Sequence, residues 1–129
     1  GEHMRKRGSG SIVLTSSTSM LAGAMGGKTG SGGPAYVASK AAIIGLVRTL
    51  ANALGREGVR VNAIAPGVVE TPMISTYSSE HRAAQPARVP LGRIGSAEEI
   101  ADVGCFLISD ASRYINGETI IVNGRANFG

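Results

Sequence analysis

The sequence reads as an α/β protein in which parallel strands lie in one layer and are joined by crossover helices. Three features argue for this. Ser11 to Ser16 (SIVLTS), Val59 to Ala65 (VRVNAIA) and Thr119 to Asn123 (TIIVN) are β-branched runs with apolar residues at consecutive positions, the pattern of strands buried on both faces. Helix-patterned segments alternate with them, giving the order strand, helix, strand, helix, strand. Helices of this length between apolar strands call for right-handed parallel connections.

Each element has a local reason. Gly1 to Met4 (GEHM) resemble the remnant of an expression tag and are set aside, leaving 5–129 as one domain. Arg5, Lys6 and Arg7 form the only basic run, expected as a solvated tail. After the first strand, Ser17 to Pro34 holds Gly26, Gly27, Gly30, Gly32 and Gly33, a backbone too entropic for regular structure, so a loop is expected. Ala35 to Leu54 has no proline, and Gly55 stands where a helix C-cap belongs. Val37, Ala41, Ile44 and Ala51 lie on one side of that helix, while Leu46, Leu50 and Ala53 spread over much of the rest. A helix apolar nearly all round needs cover on two sides. The sheet supplies one, and another helix, such as one from a second subunit, is expected on the other.

Pro66 and Gly67 end the second strand. Thr71 to Pro90 mixes Ser, Pro and charge, and is expected as a lid-like excursion with one weak helix around Ser75 to Ala84. Ser96-Ala97-Glu98-Glu99 is a capping-box pattern. Ile100, Val103, Phe106 and Leu107 then make the buried stripe of a helix running to about Ser109. Asn116-Gly117 marks the turn before the third strand.

Composition excludes several functions. With 129 residues, 43% hydrophobic and 17% charged, the chain can bury one core and is not intrinsically disordered. The net charge is +4, but there is no basic helix face and aromatic content is 4%, too little for base stacking, so no nucleic-acid partner is expected. His3, His81 and Cys105 lack paired-ligand spacing, so no metal site is expected. One cysteine is compatible with a reducing cytoplasm, the expected location. No membrane span is expected either, because no apolar run approaches the required length.

The chemistry concentrates at one rim. In parallel α/β sheets ligands bind beyond the carboxyl ends of the strands, which points to Ser16 and Ser17, to Pro66 through Thr71, and to the residues after Asn123. Tyr36 and Lys40 are four apart at the start of the long helix and share a face. A phenol ionises near pH 10, and acid–base work near neutrality needs that lowered by roughly two units, about 3 kcal/mol. A lysine cation about 4.5 Å away supplies on the order of 3 to 4 kcal/mol at an effective dielectric near 20, but only about 1 kcal/mol in water. The pair therefore needs a shielded site. With three tyrosines and three lysines, this spacing arises by chance in roughly 7% of comparable chains, so location gives it weight.

The stretches GSIVLTSS (Gly10 to Ser17), YVASKAAIIGLVRTLA (Tyr36 to Ala51), VRVNAIAPGVVETPM (Val59 to Met73) and GRIGSAEEIADVGCFLISDAS (Gly92 to Ser112), with the closing NGETIIVNG, resemble the short-chain dehydrogenase/reductase family from about Gly10 to Gly124. The resemblance implies the C-terminal part of a Rossmann-like doubly wound parallel sheet. It implies that Tyr36 donates or accepts the proton, that Lys40 lowers the phenol's pKa and holds the nicotinamide ribose, and that Ser17 hydrogen-bonds the substrate oxygen. Pro66, Gly67, Val69 and Thr71 match the stretch that lines the nicotinamide, with the Val69 backbone meeting its carboxamide. From the residues alone, Pro66-Gly67 is simply a strand-ending turn.

Three departures accompany the likeness. No G-x-x-x-G-x-G precedes a helix, so the chain looks like the C-terminal half of such an enzyme, without the family's dinucleotide fingerprint and catalytic asparagine. The interval from Ser17 to Tyr36 is about six residues longer than usual, and Ser19 competes for the serine role. Asn123-Gly124-Arg125 stands where Asp-Gly-Gly is common. The implied function is transfer of hydride between NAD or NADP and a small-molecule alcohol or carbonyl. The alternative is an incompetent fragment that serves only as an oligomerising module. Either way an open strand edge and apolar helix faces lead to the expectation of a homo-oligomer.

Overall fold

A computed structural model describes residues 1–22 and 33–127. In chain order the elements are α1 (Glu2–Arg7), β1 (Gly10–Thr15), α2 (Ser19–Ala22), α3 (Pro34–Leu54), β2 (Val59–Pro66), α4 (Ser79–Ala84), α5 (Ala97–Ile108) and β3 (Thr119–Val122). The strands form one parallel sheet in the order β1-β2-β3. Gly10 pairs with Val59 and Thr15 with Ile64, while Ala63 pairs with Thr119 and Pro66 with Val122. This is the crossover α/β layer the sequence implies.

Alternation along β2 splits the core between two faces. Val61 and Ala63 meet Val47 and Ala51 of α3, with Ile12 and Leu14 of β1 packed beside them. On the opposite face Leu107 of α5 is fully buried. Arg60 lies along that side and donates to the carbonyls of Leu107, Ser109 and Ile115. Two of these acceptors sit at the C-terminal end of α5, where the helix dipole favours a cation.

Two asparagines fasten the central strand to the turn before β3. Asn62 is fully buried; its Nδ2 donates to the Ile115 carbonyl at 3.0 Å and its Oδ1 accepts from the Glu118 N–H at 3.0 Å. Asn116 accepts from the Val61 N–H at 2.8 Å and donates to the Ala51 carbonyl at 3.3 Å, tying strand, turn and helix together.

Several local expectations are corrected. β1 is half-buried rather than buried on both faces, because among the described residues it pairs only with β2 and so forms a sheet edge. Glu2 to Met4, set aside above, and Arg5 to Arg7, expected as a solvated tail, fold together into α1. Its basic last turn is not a free tail, since Arg5 pairs with Glu57 and Lys6 with Glu2. Gly55 is the C-cap of α3, as expected, but in a right-handed conformation that opens a 3-10 turn, and the left-handed residue is Gly58 at φ 77°. An added Cβ at Gly58 would also fall 2.0 Å from the Gly8 carbonyl oxygen.

Part of the expected glycine-rich loop is helical, as α2. Residues 23–32 of it, with the extra length noted between Ser17 and Tyr36, lie outside the described residues, and Pro34 already belongs to α3. The weak helix expected over Ser75 to Ala84 is divided into a 3-10 turn, Pro72–Thr76, and α4. Ser78 begins α4 by accepting from the His81 N–H at 3.2 Å.

The long helix is covered on one side only: Val47 and Ala51 are buried, while Leu46 is 49% exposed. Contrary to the expectation of no such run, Pro34–Glu57 includes an 18-residue window of mean hydropathy 1.3, long and apolar enough by length and composition to cross a membrane. Its apolar content includes the side that packs on β2.

The capping box at the start of α5 is present. Glu99 accepts from the Ser96 N–H at 2.9 Å while Ser96 Oγ accepts from the Glu99 N–H. Hydrogen bonding from Arg93 first, and from the Ser96 N–H second, lowers the Glu99 carboxyl to about 2. A depressed acid stabilises the fold above its unfolded value near 4.5, and that contribution is lost as pH falls through about 2. Protection of the first-turn amides of α5, taken relative to their intrinsic exchange rates, should therefore fall as pH is lowered between those two limits. In Glu99→Gln the added pH dependence disappears; an unchanged profile in that variant contradicts the assignment.

Candidate active site

The carboxyl ends of β1 and β2 and the first turns of α3 face one cavity of about 570 Å³. Ser17, Tyr36 and Lys40 line it from β1 and α3, and Pro66, Gly67, Val69 and Thr71 line it from the end of β2. The sequence-derived site residues are thus brought together. The segment after β3 joins them through Ala126 and Asn127, as the strand-end rule implied.

The order of this wall follows from how β1 leaves the sheet. The Ser16 N–H continues the ladder to the Ile64 carbonyl at 2.8 Å. Ser16 itself is buried, and its hydroxyl donates to the backbone carbonyl of Lys40 at 2.7 Å, bracing the beginning of α3 against the strand. Lys40 Nζ reaches back to the Thr15 carbonyl at 2.9 Å and stands 5.6 Å from the centroid of the Tyr36 ring. Two bonds therefore fix Lys40 to the end of β1, one through its main chain and one through its ammonium. Ser17 and Ser19 are half-buried, and Ser17 Oγ accepts from the Ser19 N–H at 3.2 Å and from the Ser19 hydroxyl at 3.0 Å. The two serines do not exclude one another: both line the cavity.

On the β2 side the chain ends in a close approach. Thr18 donates from its N–H and from its hydroxyl to the Pro66 carbonyl, and the Gly67 N–H donates to the Val122 carbonyl at 2.9 Å. An added Cβ at Gly67 would lie 2.7 Å from Asn123 Cβ. Gly67 is thus a steric requirement of the β2–β3 junction as well as part of a turn. Gly67→Ala is expected to cost about 1–3 kcal/mol through overpacking, read as a lower urea midpoint; an unchanged midpoint contradicts the close packing.

Val69 forms a parallel bridge with Gly95, made by the Gly95 N–H to the Val68 carbonyl and by the Glu70 N–H to the Gly95 carbonyl. In such a bridge the bonds run through the neighbours of Val69, so its own peptide N–H and C=O point to the side away from Gly95. Val69 also lines the cavity. One donor and one acceptor there match the two hydrogen-bonding functions of a carboxamide. These groups fit a nicotinamide carboxamide, with the Val69 N–H and the second lone pair of its carbonyl available beside the Thr71 hydroxyl, which donates to that carbonyl at 3.4 Å.

The opposite wall comes from the excursion between β2 and α5. Met73, Ile74, Tyr77 and Val89, all within the lid-like excursion expected from sequence, reach the cavity. Sequence reasoning missed His81 and Gln85, which line it too. Part of the signal was available, because His81 and Gln85 are four residues apart and share a face of α4, whereas Tyr77 precedes that helix in extended backbone. The Tyr77 and His81 rings meet edge to face at 4.7 Å, and Gln85 Nε2 donates to the His81 carbonyl. An Arg82–Glu70 ion pair ties α4 to the segment carrying Val69 and Thr71. At the end of β3, Arg125 holds a left-handed φ of 71° at the departure from the common Asp-Gly-Gly, with its N–H bonded to Asn123 Oδ1.

The family described as Enoyl-(Acyl carrier protein) reductase matches residues 1–125. The chain is 47% identical over 103 residues to the 3-oxoacyl-(acyl-carrier-protein) reductase FabG of Escherichia coli, covering 79% of this chain and 42% of that protein. It is 39% identical over 122 residues to cis-4-hydroxycyclohexanecarboxylate dehydrogenase of Sinomonas cyclohexanicum, covering 95% of this chain and 47% of that one. A 3-oxoacyl-(acyl-carrier protein) reductase from Brucella melitensis, solved with bound NAD, superposes with TM-score 0.81 at 36% identity, covering 95% of this chain and 43% of the other. The chain spans about half the length of the curated relatives it matches. With the parallel sheet, the tyrosine helix and the matching stretches in agreement, the chain belongs to the short-chain dehydrogenase/reductase family of oxidoreductases.

Proposed function

We propose that the cavity is the catalytic face of an NAD(P)-dependent oxidoreductase that interconverts an alcohol and a carbonyl compound. One observation carries this reading: Ser17, Tyr36 and a doubly anchored Lys40 share the cavity with the Val69 and Thr71 segment. The nicotinamide, when bound, supplies or accepts the hydride; NAD in the Brucella melitensis reductase and NADP in a protein of Beutenbergia cavernae support either form. Val69, Thr71, Pro66 and Gly67 would hold its nicotinamide end and Lys40 its ribose. Tyr36 gives its phenolic proton to the carbonyl oxygen, Ser17 donates a hydrogen bond to the same atom, and the Lys40 cation offsets the negative charge left on the phenol. In the reverse direction Tyr36 removes the alcohol proton.

Met73, Ile74, Tyr77 and Val89 give the substrate side an apolar lining, which suits the acyl part of a 3-oxoacyl thioester, the compound class in the name of the Escherichia coli relative. The test is turnover: this chain, NADPH or NADH and a 3-oxoacyl thioester, followed by loss of the reduced nicotinamide absorbance. Loss dependent on the chain is expected. The absence of both turnover and a thermal shift with all four nicotinamide forms would contradict the reading.

The same reading has the protein working as a homo-oligomer in the cytoplasm. The exposed Leu46 on α3 (49%) and Phe106 on α5 (42%), with β1 an open sheet edge among the described residues, support self-association. Light scattering on the purified chain should give at least twice 13.1 kDa; a monomer at micromolar concentration contradicts it.

A further inference from the structure

We propose that Ser19 is a positioning residue that aims the Ser17 hydroxyl proton into the cavity. The inference rests on the reading of Ser17 as the donor to the substrate oxygen. A serine hydroxyl has one proton to donate and two lone pairs to accept with. Both Ser17 lone pairs are engaged by Ser19, one by its N–H at 3.2 Å and one by its hydroxyl at 3.0 Å. The neighbouring hydroxyls are committed elsewhere. Ser16 donates to the Lys40 carbonyl, Thr18 to the Pro66 carbonyl, and Ser19 to Ser17.

Among the described residues, Ser17 is thus the one hydroxyl of this four-residue stretch that accepts twice and donates to no protein acceptor. Its proton is the group left over, and Ser17 lines the cavity beside Tyr36 and Lys40. The apparent competition between two serines resolves into a division of labour. Ser19 holds the oxygen and Ser17 presents the proton. Removing the Ser19 hydroxyl frees one lone pair, so the Ser17 rotor gains alternatives in which its proton points away, while the main-chain bond from the Ser19 N–H survives in any variant.

The experiment uses the full chain as Ser19→Ala and Ser19→Thr. Three-bond NMR couplings between the Ser17 hydroxyl proton and its β protons should show a single staggered hydroxyl rotamer in the parent, averaging in Ser19→Ala, and a single rotamer again in Ser19→Thr. Where turnover is measured, kcat should fall about three- to ten-fold in Ser19→Ala with KM for the nicotinamide unchanged, and recover in Ser19→Thr. An unaltered Ser17 rotamer in Ser19→Ala overturns the proposal, as does a kcat loss that threonine does not rescue. The couplings decide the matter even if the parent shows no turnover, in which event the functional reading fails and the positioning claim is judged alone.

Discussion

Tyr36→Phe is expected to lower turnover by about 10²–10⁴-fold without disturbing the fold. The substitution removes one oxygen from a half-buried ring in the cavity. It keeps the Tyr36 backbone carbonyl, which accepts from Ser39 Oγ at 2.7 Å, and it keeps a ring beneath Lys40 Nζ. Nicotinamide binding and the melting temperature should hold while kcat collapses, because only the proton route is lost. Steady-state kinetics beside a thermal melt checks this, and retained turnover removes Tyr36 from the proton-relay role.

The second large effect is on stability. Asn62→Ala should cost about 3 kcal/mol, because it opens a small cavity at a fully buried position and removes the bonds to the Ile115 carbonyl and the Glu118 N–H. For a domain of this size that is a fall of roughly 10 °C in melting temperature. Asn62→Leu separates the causes: it restores volume but not the bond to Glu118, so it should recover only part of the loss. Full recovery in the leucine variant, or an alanine variant as stable as the parent, contradicts the view that this asparagine pins the β2–β3 connection through its polar atoms.

What the sequence disclosed depended on how local its signals were. The three strands, the tyrosine helix and the capping box are each written within a few consecutive residues, as β-branched runs, a proline-free apolar stretch and Ser96 followed by Glu99. Their convergence followed from the general rule about strand ends, which placed Ser17, Pro66 and the residues after Asn123 on one rim. Burial of β1 was overestimated because the run SIVLTS specifies a strand and says nothing of how many neighbours it pairs with. α1 was lost by excluding Gly1 to Met4, although Met4 lies over Gly10. Gly55 and Gly58 are both plausible helix stops in sequence, and only the 3-10 turn between them assigns the left-handed conformation to Gly58. The hydroxyl pattern over Ser16 to Ser19 was out of reach, since two of those bonds end on the Lys40 and Pro66 carbonyls, whose positions depend on packing between β1, α3 and β2.

The site also explains why the tyrosine–lysine spacing carries weight here. In isolation the pair is a common arrangement on a helix surface. At this location Lys40 is bound to the Thr15 carbonyl and its own carbonyl is gripped by a buried serine, so the ammonium is held beside the ring at the cavity wall. The chemistry therefore depends on the β1–α3 junction as much as on the two side chains.

The most direct test is a titration of the isotope-labelled chain with NADP(H) and NAD(H), followed residue by residue in NMR spectra. Saturable shifts confined to the amides of Ser17, Lys40, Gly67, Val69 and Thr71 are predicted. Saturable shifts that map instead to the exposed faces of α3 and α5, or no shift at all, would contradict the assignment of this cavity to a nicotinamide.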